Sequence, residues 1–230
     1  MNRSSLALLS VVALAFLLPH STIAATIIVP GTADPFLAGM PPASSCCSGD
    51  TVPDESPIYA GAVTAGTTLT FTNVTGGVSY FGGTPTDGPN GNSTVLISTL
   101  AYEGVSTIND IAGYTNAPVD ALVGVFLNSS LPTSNPAPGV LDFSSPTSTP
   151  QLQQIFFIGD GTIGSITVPT GATRLYLGTV DGFGWANDTG SIDVTVNGLS
   201  GVPEPAAWNM LIIGVGVGGL FGRKRLAGRI

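Results

Sequence analysis

Through the middle of the chain, apolar and polar residues alternate in short runs. Thr68, Leu69, Thr70, Phe71 and Thr72 alternate strictly, and so do Ser191, Ile192, Asp193, Val194, Thr195 and Val196. A two-residue period puts one set of side chains on each face of a strand. Similar β-branched or aromatic runs occupy 78–81, 95–98, 121–127, 154–158, 165–168 and 174–178. Asp87-Gly88, Gly159-Asp160-Gly161 and Pro169-Thr170-Gly171 are turn formers between them. No helical period is sustained between 56 and 199. These features predict an all-β sandwich over 56–199, with a Pro/Ser/Thr-rich surface loop at 129–150. Residues 26–55 lack the alternation and read as a flexible N-terminal segment.

The two ends break this pattern with continuous apolar runs. Arg3 precedes an apolar stretch at 6–18, then small residues ending in Ala24 and Ala25. That order predicts a signal peptide at 1–25, cleaved after Ala24 or Ala25. At the other end, 206–222 is apolar and Gly-rich. As a helix it measures roughly 26 Å, the short end of a membrane span. Trp208 marks one interface, while Arg223, Lys224, Arg225 and Arg229 form a basic stop on the cytoplasmic side. Gly214, Gly218 and Gly222 leave one helix face bare, which permits close helix approach in lipid.

Charge changes the functional picture. The chain has 14 acidic and 6 basic residues, for a net charge of −8. Arg174 is the one base between 26 and 202, and Glu204 is the one acid outside that span. The expected exported body therefore carries 13 acids and one base. Such a surface repels nucleic acid and attracts cations. His20, the only histidine, leaves with the signal, and the body has no Lys. Ser-His-Asp or Cys-His nucleophiles, His-ligated zinc and Schiff-base chemistry are thereby excluded. Carboxylate chemistry and hard-cation binding through oxygen remain. The expectation is a non-enzymatic protein, with a carboxylate-only glycoside hydrolase as the remote alternative. Cys46 and Cys47 are neighbours and read as a vicinal disulfide or free thiols in a flexible loop, with pairing to a second chain also open.

The tail resembles a known signal. Val202, Pro203, Glu204, Pro205 and Trp208, the apolar helix, and Arg223, Lys224 and Arg225 are similar to the PEP-CTERM sorting signal of Gram-negative bacteria. The resemblance implies processing by exosortase at or near Pro203–Pro205, with the membrane contacted through the C-terminal helix beforehand. The sorting signal is assigned to 200–230. The expected destination is the cell envelope, cell surface or extracellular matrix, in association with exopolysaccharide. Asn209 after the Trp, and Lys224 among the arginines, depart from the commonest forms.

One loop in the body offers ligand chemistry. Between two strands lie Asp181, Gly182, Phe183, Gly184, Trp185, Ala186, Asn187, Asp188 and Thr189. Asp181, Asn187 and Asp188 carry side-chain oxygens of the kind calcium takes, six to eight at a time. The same residues are ordinary turn formers. This region, with 65–71 and 78–82, resembles the galactophilic, calcium-dependent bacterial lectins, whose fold is a galactose-binding-like β-sandwich. The resemblance implies calcium held by Asp181, Asn187 and Asp188 with the carbonyls of Tyr80 and Trp185. Asp188 stands where the family has Asn, which adds one negative charge. The lectins' sugar-gripping His and Gln have no counterpart, and Asn90 or Asn92 stands in that region. Phe183 and Trp185 are candidates to stack on a sugar. The implied ligand is a galactose-type glycan.

Overall fold

A computed structural model describes residues 22–201, and these form one compact unit over Thr22–Ser200. In chain order the strands are β1 (Thr22–Pro30), β2 (Ser45–Cys46), β3 (Asp50–Thr51), β4 (Ile58–Ala62), β5 (Thr68–Ser79), β6 (Asn92–Ile97), β7 (Thr107–Ile108) and β8 (Ile111–Ala112). Then come β9 (Tyr114–Thr115), β10 (Ala117–Val119), β11 (Leu122–Leu127), β12 (Leu141–Asp142), β13 (Ile155–Phe157), β14 (Ser165–Thr167), β15 (Arg174–Thr179) and β16 (Thr189–Ser200). One short helix, α1 (Thr99–Glu103), follows β6.

Two four-stranded antiparallel sheets, β1-β16-β5-β14 and β13-β11-β15-β4, share one apolar core. The alternation in the sequence explains the pairing of faces. On β5, Leu69 and Phe71 are buried while Thr68, Thr70 and Thr72 face out. On β16, Ile192, Val194 and Val196 point into the same core. The opposing sheet supplies Leu122, Phe126, Phe156, Leu175 and Leu177. Each such side chain stabilises by roughly 1.5–3 kcal/mol relative to full exposure. The long β5 and β16 stay in register through a bulge at Asn73, which has φ of 52°.

The all-β expectation holds, and the expected strands are present. The run at 68–72 and the start of the run at 78–81 join into the single long β5, which ends at Ser79.

A second apolar core lies on the far face of the β11 sheet, which the two-sheet expectation lacks. Every residue of β11 is buried. Leu122 and Phe126 enter the first core, whereas Val123, Val125 and Leu127 enter the second with Phe36, Ile97, Ile111, Tyr114, Val119, Phe143 and Trp185. A strand covered on both faces reads as a continuous apolar run.

The N-terminal segment 26–55 is packed rather than loose, which corrects the flexible reading. Val29 joins the first core, and Phe36, Leu37 and Ala38 are buried beneath β11 and β15. Asp34 caps the short 3-10 turn Pro35–Leu37 by accepting from the Phe36 N–H at 2.8 Å. Cys46 and Cys47 form a vicinal disulfide inside the β2–β3 hairpin, and Cys47 is buried. The sequence missed this segment because its buried residues sit in turns, which carry no period.

The positions expected for signal cleavage, Ala24 and Ala25, fall within β1, opposite Asn197 and Val196. Removing them leaves the pairs from Thr26↔Thr195 to Pro30↔Ser191 in place. The rest of the expected signal peptide, and the expected transmembrane helix at 206–222, lie outside the described residues. Among the described residues, no helix is long and apolar enough to cross a membrane.

Candidate functional site

The loop 180–188 carries the chain from β15 in one sheet to β16 in the other. Its course is fixed from below. Trp185 is fully buried in the second core, where its Nε1 donates to the Thr179 carbonyl at 3.0 Å. Phe36 meets that indole edge-on at a centroid distance of 6.0 Å. The buried Tyr114 hydroxyl donates to the Asp181 carbonyl at 2.9 Å. Asp50, from β3, accepts from the N–H groups of Trp185 at 2.8 Å and Ala186 at 3.2 Å, so it caps the 3-10 turn Trp185–Asn187. The cystine hairpin thus clamps the loop through a carboxylate.

Within the loop, the Asp181 carboxylate accepts from Gly182 N–H and, at 3.2 Å, from Gly184 N–H. That is the turn-forming role expected of an Asp before glycine. Each carboxylate oxygen retains further acceptor capacity. The Asn187 amide has two possible seats. With nitrogen inward it donates to the Gly184 carbonyl at 2.8 Å and to Asp188 Oδ1 at 3.2 Å. With oxygen inward it faces the Gly184 carbonyl and Asp188 Oδ1, an arrangement that needs a proton on Asp188 or a cation between the oxygens.

Asp188 and Asp120 sharpen this picture. Asp188 is 5% exposed and Asp120 is fully buried. Asp188 Oδ2 and Asp120 Oδ1 have no hydrogen-bond partner among the described residues. Asp120, which follows β10, reaches the site because its N–H donates to the Val180 carbonyl at 2.7 Å, and its Oδ2 accepts from Tyr80 N–H at 3.3 Å. Asp120 was not foreseen as a site residue. It sits at a positive φ of 68° between two strands, so in sequence it reads as a turn residue.

The acids perturb one another. Burial, then the charges of Asp181, Asp120 and Asp50, push the Asp188 carboxyl up to about 9. Burial, then the hydrogen bond and like charge of Asp87, push Asp120 up to about 7. Burial pushes Asp50 up to about 6 against the two N–H groups it accepts. Asp181 and Glu103 are raised, chiefly by burial. Asp34, entirely buried beside Cys46 Sγ, is raised well above the ordinary range. Among the described residues, no basic side chain answers these charges. Arg174 stands at the other end of β15, donating to the Asn128 and Ser130 carbonyls.

A cleft of about 260 Å³ opens beside the loop. Tyr80, Phe81, Tyr102, Phe183, Asp181 and Asn187 are among its lining residues. The structure thus brings Tyr80, Asp181 and Asn187 to one cleft, with Asp188 next in the chain. The Trp185 carbonyl is turned to the Asp188 N–H at 3.0 Å, and the Gly184 carbonyl is the loop carbonyl that faces the Asn187 amide. The Trp185 ring is buried and has no face for a sugar, which corrects that expectation. Asn90 and Asn92 are not among the cleft's lining residues. Asn90 is bound to Asp160 through both amide atoms, at 2.9 and 3.0 Å, and Asn92 accepts from Thr94 N–H at 3.1 Å.

Comparison with known proteins bears on the tail. Residues 201–225 match the PEP-CTERM protein-sorting motif. The motif implies an exported protein that is sorted by exosortase, anchored and then processed at the cell envelope. The matched residues include Val202, Pro203, Glu204, Pro205, Trp208, Arg223, Lys224 and Arg225. No curated protein and no solved structure matches the chain.

Proposed function

We propose that the β domain is a non-catalytic, cation-dependent binding module, displayed at the envelope or in the extracellular matrix of a Gram-negative bacterium in association with exopolysaccharide. The observation that carries the binding role is the set of buried, unpartnered carboxylate oxygens on Asp188 and Asp120, next to an Asn187 amide whose oxygen can join them. A buried ionised group without a partner costs several kcal/mol, so such a site asks for a proton or a cation. Calcium suits an all-oxygen donor set with flexible geometry. Asp181, Asn187 and Asp188, with the Gly184 and Tyr80 carbonyls, would hold it, and Asp120 would add charge behind them. Bound calcium would fix the loop 181–188 and offer open coordination positions to hydroxyl groups of a ligand.

The site loop enters the twelve-residue strand β16 at Thr189, and the strand ends at Ser200.

Titration calorimetry of the exported body with calcium tests the reading. Saturable binding that Asp188→Asn removes supports it, and no heat at millimolar calcium refutes it. A calcium-dependent galactose-type lectin is the second reading, favoured by the cleft adjoining the same loop. A panel of glycans with and without calcium decides it.

A further inference from the structure

From the cleft's aromatic walls we infer a binding site for an organic ammonium group, distinct in chemistry from the metal and from a neutral sugar. The inference rests on the reading of this domain as a binding module, and it does not require the metal.

Two aromatic pairs flank the cleft. Tyr80 and Phe81 lie with ring centroids 4.3 Å apart, and Tyr102 and Phe183 meet edge to face at 5.5 Å. They come from separate elements: Tyr80 and Phe81 follow β5, Tyr102 is on α1, and Phe183 is in the site loop. Phe81 is 78% exposed and Phe183 59%, so their rings are bare. Val95 and Ile97 of β6 complete the apolar lining. An apolar cleft walled by bare aromatic rings marks an interaction site. The Tyr102 ring lies over Gly182, where any Cβ would stand 2.7 Å from its Cδ1. The loop glycine is what lets this wall close on the acid side.

Charge selects the occupant. Asp181 lines the cleft, and its charge reaches Asp188 and Glu103. Arg174, the one base of the body, stands at the far end of β15. An anion finds no donor of opposite sign here. A neutral apolar ligand would use the rings and leave the acids uncompensated. An ammonium group uses both, since ring faces attract cations and the Asp181 carboxylate in the lining supplies the counter-charge. A methylated or primary amine on an apolar body, such as an aminated sugar or a choline headgroup, has this chemistry.

The test compares choline with its uncharged isostere, 3,3-dimethylbutan-1-ol, by NMR titration of the exported body, in excess chelator and again in saturating calcium. Choline is expected to shift resonances of Phe81, Tyr102 and Phe183 saturably, and the isostere to bind at least about tenfold more weakly. Phe183→Ala and Phe81→Ala should each weaken choline several-fold, whereas Tyr59→Ala, an exposed aromatic on β4, should not. Equal binding of the isostere overturns the inference in favour of a merely apolar cleft. Choline binding indifferent to both Phe substitutions overturns it in favour of diffuse charge attraction. Loss of calcium binding with choline binding intact would refute the metal reading alone, and the converse would refute this one alone.

Discussion

The buried acids make a directional prediction about pH. The Asp188 carboxyl keeps its proton up to about pH 9 in the folded chain, against roughly 3.9 in an unfolded one. A carboxyl with a raised folded pKa stabilises the fold while protonated in both states, and that stability is lost as pH rises from the unfolded value towards the folded one. For Asp188 the window runs from about pH 4 to 9, and for Asp120 from about 4 to 7. Between pH 5 and 8, Asp188 alone accounts for at most about 4 kcal/mol, at 1.36 kcal/mol per unit. A domain of this size moves about 2–4 °C per kcal/mol, so the melting temperature in chelator should fall by up to roughly 8–16 °C over that range. Asp142 and Asp160, whose carboxyls are lowered by local hydrogen bonds, act below the ordinary carboxylate pKa and do not offset this. Calcium at a hundredfold excess over its dissociation constant should return about 2.7 kcal/mol, most visibly at pH 8 where the acids are asked to ionise. Thermal melts at pH 5, 6.5 and 8, with calcium and with chelator, measure both effects. Asp188→Asn should make the chelator series shallower, most of all above pH 7, and abolish the calcium gain. A melting temperature that is flat or rises with pH in chelator would refute the uncompensated-acid reasoning.

Other substitutions separate clamp, site and scaffold. Asp50→Ala removes two charge-assisted bonds to the Trp185 and Ala186 N–H groups and should cost about 2–3 kcal/mol in denaturant unfolding, with weaker calcium binding. Trp185→Phe keeps most of the packing but strands the Thr179 carbonyl, so a loss of about 1–2 kcal/mol is expected by the same measurement. Gly76→Ala places a Cβ against the Ser191 carbonyl at a φ of 101°, and should destabilise the β5–β16 pair by several kcal/mol, read as loss of soluble folded protein. Asn90→Ala breaks the tie to Asp160, outside the cleft's lining, and should leave calcium titration unchanged. A change there would show that the Asn90 turn is coupled to the site.

Much of the scaffold is legible in the chain. Leu69 and Phe71, or Ile192, Val194 and Val196, alternate with polar residues, and a two-residue period has one physical meaning in a half-buried sheet. The β11 run was equally visible as a strand, but its unbroken apolar character was the trace of a second core that the two-sheet expectation left out. Phe36 and Asp34 were invisible as structure, because turns and caps follow local hydrogen bonding rather than periodicity, and Asp50 because its partners Trp185 and Ala186 are distant in the chain. In the site, Asp181, Asn187 and Asp188 were found together because one short loop holds all three. Asp120 comes from a distant turn and reaches them only through the Val180 carbonyl and the Tyr80 N–H.

The sequence by itself determined the address and the chemical inventory. The motif at 201–225, and a body of 13 acids with one base, are one-dimensional facts that no folding alters. Tertiary structure alone decided which acids meet, which of their oxygens go unpartnered, and which aromatic rings remain bare. It buried Trp185 and left Phe183 exposed, although both lie in the same loop. Burial and desolvation depend on what the other elements bring to a side chain, and the second core beneath β11 is what brought it.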